Sequence, residues 1–265
     1  MKSSILSVPV RKIDGQLHIA VASSELDSVA VEEPLQIRVN GKNLAIAMRT
    51  PGYDRELAAG FLFTEGLLLH LQQLKSIDLD ERGTAEVLID GEIDTEASRN
   101  FYMTSSCGIC GKASIDALIS AGAVSVRTDA PRVAVNLFFS MPAKLRHAQA
   151  VFERTGGLHA AGLFSFQAEL ITLREDVGRH NAVDKLIGAA FLENLLPLHD
   201  HILMLSGRIS FELVQKAVMA GIPIIAAVGA PSSLAIETAM RFGITLVGFL
   251  RDERYNIYTH PQRVF

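Results

Sequence analysis

Residues 201–254 read HILMLSGRISFELVQKAVMAGIPIIAAVGAPSSLAIETAMRFGITLVGFLRDER, and this stretch decides the fold. Three short apolar runs, residues 201–205, 223–228 and 244–250, alternate with two helical segments, residues 211–220 and 233–242. The helical segments end at Gly221 and Gly243. A short run without polar alternation, bounded by turn residues, fits a strand buried on both faces. Strand, helix, strand, helix, strand predicts an α/β protein whose mainly parallel sheet is covered by helices.

Each predicted strand empties at its carboxyl end into a polar loop. These are Ser206-Gly207-Arg208, Ala230-Pro231-Ser232-Ser233 and Arg251-Asp252-Glu253-Arg254. Ligands of open parallel sheets bind along this edge, where helix N-termini present N–H groups to phosphates. A nucleotide site is therefore expected there. Arg208, Arg251 and Arg254 offer forks for phosphate, and Asp252 or Glu253 can accept from a guanine edge or a ribose hydroxyl. The plainer alternative is that the serines cap helices and the arginines are solvated. No Gly-x-Gly-x-x-Gly or Walker loop points to an ordinary dinucleotide or ATP enzyme.

Working outward, residues 163–166 and 170–173 read as strands, and a helix is expected over 142–154, ending at Gly156-Gly157. Asn181 is placed to cap a helix carrying Val183, Leu186, Ile187 and Ala190. Two polar blocks lie between these elements, Thr155-Gly156-Gly157-Leu158-His159-Ala160-Ala161 and Arg174-Glu175-Asp176-Val177-Gly178-Arg179-His180-Asn181. Such density at element junctions marks a site. His159 alone fits a hydrogen-bonded core histidine, and Asp176, Arg179, His180 and Asp184 fit an ion-pair cluster that orients the next helix. Further upstream, Asn40-Gly41 predicts a hairpin between residues 35–39 and 44–48. Asp54 is an expected N-cap for a helix through Leu57, Phe61 and Leu62 that ends near Gly66. Residues 78–99 are acidic and include Asp90-Gly91, which suggests a second hairpin or a surface excursion, and residues 112–120 read as a short helix. The expected division is a β-rich region with one helix over 1–100 and the α/β domain over 101–265.

The chain of 265 residues is large enough to bury its own core without disulfides. A net charge of −4 and a pI near 6.1 argue against a broad nucleic-acid or anionic-membrane footprint. The start of the chain shows no signal-peptide pattern, and no segment reaches the roughly 18 apolar residues of a membrane span. A cytoplasmic protein is expected. Its two cysteines, Cys107 and Cys110, sit in Ser105-Ser106-Cys107-Gly108-Ile109-Cys110-Gly111-Lys112. That spacing suits one metal ion, one disulfide or one sulfur atom being passed on. Structural zinc wants four ligands, so His159 and His180 would have to complete the set, and the spacing is unlike a zinc finger. A deaminase site fails on two counts: Ala161 stands where the proton-transferring glutamate belongs, and the cysteines precede the histidine. A thioredoxin-type pair wants a βαβ unit that is missing upstream. Sulfur carriage remains, with the thiols just before a predicted helix and beside Lys112, which favours thiolate.

These residues resemble the formate dehydrogenase accessory sulfurtransferases. The likeness is carried by Met48-Arg49-Thr50-Pro51-Gly52, the cysteine block, Gly156-Gly157-Leu158-His159-Ala160-Ala161, Glu175-Asp176-Val177-Gly178-Arg179-His180-Asn181, Ser206-Gly207-Arg208 and Ala230-Pro231-Ser232-Ser233. It runs from about residue 30 to the end. The resemblance implies a sulfur carrier that accepts sulfur from a cysteine desulfurase as a persulfide on Cys107, with Cys110 assisting. The sulfur then passes to the molybdenum cofactor, bis-molybdopterin guanine dinucleotide, before its insertion into formate dehydrogenase. The cofactor-binding stretch falls on Phe249, Leu250, Arg251, Asp252, Glu253 and Arg254, with Ser206, Gly207, Arg208 and His180 completing the candidate contacts. The implied fold is similar to the cytidine deaminases, a three-layer α/β/α arrangement, usually as a homodimer. No zinc, nucleic acid or membrane is expected. The alternative is a non-enzymatic chaperone of the same cofactor.

Overall fold

The computed structural model describes residues 3–11, 24–91, 118, 125–126 and 132–265. The expected boundary at residue 100, the cysteine loop, and all but Leu118 of the helix expected at 112–120 lie outside these residues. Leu118 is helical and buried.

The long apolar runs become the centre of a six-stranded sheet. Strands β7 (His159–Ser165), β8 (Leu170–Asp176), β9 (His201–Leu205), β10 (Ile224–Ala227), β11 (Thr245–Arg251) and β12 (Arg254–Thr259) lie in the order β12-β11-β10-β9-β7-β8. Pairings β9–β10 and β10–β11 are parallel, and β7 runs antiparallel to both β8 and β9. Strand β8 therefore points the same way as β9, β10 and β11, and four carboxyl ends share one edge.

Alternation along the central strands feeds two cores. Leu203 and Leu205 of β9 and Ile225 and Ala227 of β10 face one side. There they meet α4 (Arg179–Leu192), α5 (Phe211–Met219) and α6 (Ser233–Phe242). Ile202, Met204, Ile224 and Ala226 face the other, against Phe138, Met141 and Leu145 of α2 (Leu137–Ala148). Burial on both faces explains why these strands carry no polar alternation. The protein is a mixed α/β fold in which helices sandwich the large sheet.

The first core continues into a four-stranded sheet of β3 (Glu33–Val39), β4 (Lys42–Arg49), β5 (Leu74–Leu79) and β6 (Thr84–Ile89), ordered β4-β3-β6-β5. Helix α1 (Asp54–Thr64) links this sheet to α4. The two helices cross backbone to backbone. A Cβ at Gly188 would overlap the Glu56 carbonyl and lie 2.7 Å from Gly60 N, and one at Gly60 would overlap the Asp184 carbonyl. Strands β1 (Ile5–Arg11) and β2 (Ser24–Ala30) form a separate antiparallel ribbon, and α3 (Ala150–Thr155) precedes β7.

The Asn40-Gly41 hairpin is present as read, with both residues at positive φ, 48° and 78°, as a type I′ turn requires. Four local expectations are corrected. Asp54 is not the N-cap of α1: Tyr53 takes that place at φ 59°, because Asp54 is drawn into a bidentate pair with the buried Arg49 at 2.8 and 3.0 Å. The second hairpin joins β5 and β6 through Asp80 to Gly83, not through Asp90-Gly91. The Asp80 carboxylate accepts from Arg82 N and Thr84 N and closes the turn first. Asn181 is not a cap either, since α4 begins at Arg179 after Gly178 and the Asn181 amide instead bonds Met48 O and Asp176. The helix expected over 142–154 is two, broken at Gln149.

The glycine crossing predicts a test in pairs. Gly188→Ala should cost about 3 kcal/mol in a denaturant midpoint measurement, because the added carbon must move backbone. Gly157→Ala, whose Cβ would meet Ala30 Cβ at an ordinary 3.7 Å, should stay within about 0.5 kcal/mol.

Candidate functional site

The loops after β9, β10 and β11 are joined to one another as if the sheet went on past its strands. Gly229 N donates to Gly207 O at 3.1 Å, Phe249 N to Gly229 O at 3.1 Å, Ile209 N to Ala230 O at 3.0 Å and Ser232 N to Ile209 O at 2.9 Å. A Cβ on Gly229 would lie 2.7 Å from Gly207 O, so only glycine allows this approach. On the next strand, Ser206 N donates to Ala160 O and Ala160 N to Ser206 Oγ, at 3.0 and 2.8 Å. Thus Ser206, Gly207 and Arg208 sit on the carboxyl edge, as the strand pattern requires, with Arg208 exposed.

Strand β11 ends in a bulge. Its register slips between Gly248 and Arg251, and Phe249 stands at φ 55°. Leu250 is turned into the core, whereas Arg251, Asp252, Glu253 and Arg254 are exposed and form the tight turn into β12. Of the candidate cofactor stretch, Leu250 is thus withdrawn from the surface, and the four residues after it are not.

The remaining edge residues come from the two polar blocks. His159 opens β7 beside Gly207, where a Cβ would lie 3.2 Å from its Nδ1. Partial burial, then the positive charge of Arg179 and the neighbouring His180, push the His159 imidazole below its ordinary 6.5. His180 Nε2 lies 3.0 Å from Ser210 Oγ and 3.8 Å from the Glu212 carboxylate. His180, with the Ser210 hydroxyl and Glu212's own N–H, outweighs burial and holds that carboxyl down at about 2. Ser210 and Glu212 carry no motif of their own; their one sequence signal is position, immediately after Ser206-Gly207-Arg208.

The helix N-termini on this edge are not bare. Ser232 Oγ accepts from Ala235 N at 3.2 Å at the start of α6, Glu212 covers the start of α5, and Asp176 accepts from Gly178 N at 2.8 Å before α4. An incoming phosphate must share or displace these acceptors.

Behind the edge lie buried ion pairs, but not the cluster expected of Asp176, Arg179, His180 and Asp184: the two aspartates pair with lysines, and His180 lies by Glu212. Asp176, fully buried, pairs with Lys185 Nζ at 2.7 Å and accepts from Thr50 N at 3.1 Å and Asn181 at 3.0 Å. Lys185 also donates to Thr50 O at 2.8 Å, and Val177 N to Thr50 Oγ1 at 3.2 Å. Every polar group of Thr50 is thereby spent on the segment that leads into Arg179 and His180. A second buried set joins Asp184 to Lys216 at 2.9 Å and to Thr64 at 2.8 Å, with Glu65 3.5 Å from the same ammonium. Burial pulls Lys216 down, but Asp184 and Glu65 more than offset it and hold its pKa up; burial lifts the Glu65 carboxyl. These carboxylates hold elements together and have no open face for chemistry.

A cleft of ≈ 470 Å³ opens on the α2 side of the edge, with Arg146, Gln149 and Phe152 on one wall and Gly157, His159 and Ser206 on the other. Its size suits a small-molecule ligand. Cys107 and Cys110 lie outside the described residues. No described helix is long and apolar enough to cross a membrane.

A mixed sheet with four carboxyl ends on one edge, loops zipped by backbone bonds and basic side chains around them defines an α/β protein with a candidate site at its strand ends. The family profile of FdhD/NarQ matches residues 30–265, and the chain belongs to that family. It is 51% identical over 255 residues to the sulfur carrier protein FdhD of Streptomyces avermitilis, covering 91% of this chain and 90% of that protein. The sulfur carrier protein FdhD of Sulfolobus acidocaldarius is 50% identical over 243 residues, covering 92% and 93%. Among solved structures, a formate dehydrogenase accessory protein from Desulfotalea psychrophila superposes with a TM-score of 0.79 at 25% identity, over 99% of this chain and 100% of that one.

Two outcomes test the site. Lys185→Met leaves the Asp176 charge buried without its ammonium and should cost about 3 to 5 kcal/mol by denaturant titration. Glu212, whose pKa is depressed on folding, adds stability that is present above about pH 4.5 and lost as the pH falls toward about 2. In Glu212→Gln, the fall in stability across that window should be shallower than in the unaltered protein.

Proposed function

We propose that this protein is a sulfur carrier serving formate dehydrogenase. Cys107 takes sulfane sulfur from a cysteine desulfurase as a persulfide and passes it to bis-molybdopterin guanine dinucleotide before that cofactor enters the dehydrogenase. The supporting observation is the family match, at about half identity to proteins named sulfur carriers, over a span that includes both the Cys107–Cys110 block and the strand-end loops.

The loading step is thiol–disulfide chemistry. The Cys107 thiolate attacks the outer sulfur of the donor's persulfide, a new S–S bond forms, and the donor leaves as thiolate. Cys110, three residues on, is placed in sequence to assist the onward transfer. The guanine dinucleotide ends of the cargo lie on the carboxyl edge, against Ser206, Gly207, Arg208 and the stretch from Phe249 to Arg254, with His180 beside them. The zipped loops support this reading because they offer a fixed backbone surface with Arg208, Arg251 and Arg254 standing out from it. We place the protein in the cytoplasm and as a homodimer.

Incubation with a cysteine desulfurase and cysteine, followed by mass spectrometry, should add about 32 Da, one sulfur atom, to the peptide holding Cys107. An adduct confined to another residue would sink the assignment. Cys107→Ala should leave a dehydrogenase with its metal but without activity. An active enzyme from cells carrying that variant would mean that the protein only chaperones the cofactor.

A further inference from the structure

Among the described residues, the half-buried Arg179 has no counter-charge. Its Nε is buried with no hydrogen-bond acceptor, and no carboxylate pairs with it among the described residues. The acids that could have served are engaged elsewhere. Asp176, three residues before it, is held by Lys185, Thr50 and Asn181. Glu212 is held by His180 and Ser210. A guanidinium partly withdrawn from water and left unpaired is costly, and proteins keep such groups where an anion arrives from outside.

The surroundings define that anion. Arg179 is the first residue of α4, directly after β8, so it stands on the edge shared by the carboxyl ends of β8, β9, β10 and β11. Its field reaches His159, which abuts Gly207, and His180 follows it in the chain. The Thr50, Asp176 and Lys185 bonds fix the turn from Val177 to Gly178 that delivers it. The planar fork of arginine matches phosphate oxygens two at a time.

We propose that Arg179 is a phosphate-binding residue of the strand-end edge, holding a phosphate or diphosphate group between itself, His159 and the Ser206-Gly207 backbone. This rests on the reading of that edge as a nucleotide site and assigns the phosphate to a residue outside the Arg208 and Arg251 to Arg254 set. Asp176 and Thr50 are positioning residues for it.

The test uses the full chain with GDP and inorganic pyrophosphate as probes, comparing the unaltered protein with Arg179→Gln and Arg179→Lys. Binding is followed by calorimetry and by the His159 ring resonances. GDP should bind Arg179→Gln roughly 10- to 100-fold more weakly, the scale of one charge-assisted contact, with Arg179→Lys in between. Phosphate bound at Arg179 cancels its field, so either probe should raise the His159 titration midpoint in the unaltered protein and not in Arg179→Gln. Equal GDP affinity in all three proteins overturns the proposal and leaves the nucleotide edge to Arg208 and Arg254. If GDP fails to bind even the unaltered protein, the nucleotide reading falls. Pyrophosphate then decides for Arg179: an Arg179-dependent shift of His159 supports the anion site, and no shift overturns it.

Discussion

Asp176 keeps a carboxylate where water does not reach, and the groups needed to hold it there draw three parts of the chain together. Lys185 and Asn181 come from α4, Thr50 from the turn after β4, and Gly178 from the junction that follows β8. A charge in such a place is tolerated only with this many partners. The small sheet therefore cannot separate from α4 without exposing an unpaired ion. The Gly60–Gly188 crossing does the same work sterically, since two helices in backbone contact leave no room to slide.

The second buried set starts from Asp184, the residue just before Lys185 in α4. Asp184 reaches Thr64 at the end of α1 and Lys216 in α5. One helix thus carries an acid and a lysine toward three neighbours, which accounts for the burial of charged residues in a segment that also supplies Val183, Leu186 and Ile187 to the core. The edge itself is the other side of this architecture: the buried pairs hold the backbone, and His159 and Arg179 stand on the edge beside His180, which lies by Glu212.

The parts of the fold that follow from burial alone are legible in sequence. Strands β9, β10 and β11 show because both faces are covered, and the Asn40-Gly41 turn shows because few residues accept two positive φ angles. Strand β12 does not, because Arg254, Asn256 and Tyr258 interrupt the apolar residues of an edge strand. The helix starts misread at Asp54 and Asn181 share one cause: each side chain fits a cap locally but is taken by a partner on a neighbouring strand, Arg49 or the pair Met48 and Asp176. The same holds for the site. Ser206, Gly207 and Arg208 are found from strand ends, whereas Ser210, Glu212 and the isolation of Arg179 depend on which acids are already engaged, and that is visible only in three dimensions.

The zipped loops have a consequence for how this edge can change over evolutionary time. Surface loops ordinarily accept insertions, because nothing but solvent notices the extra residues. Here each loop is a rung of its neighbour's ladder: Gly207, Gly229 and Phe249 are tied in sequence by backbone bonds. One residue added after β10 would put every following N–H out of step with Gly207 on one side and Phe249 on the other. Diversity at this edge must come by exchanging side chains at fixed length, so a new ligand preference is reached by substitution and not by growth.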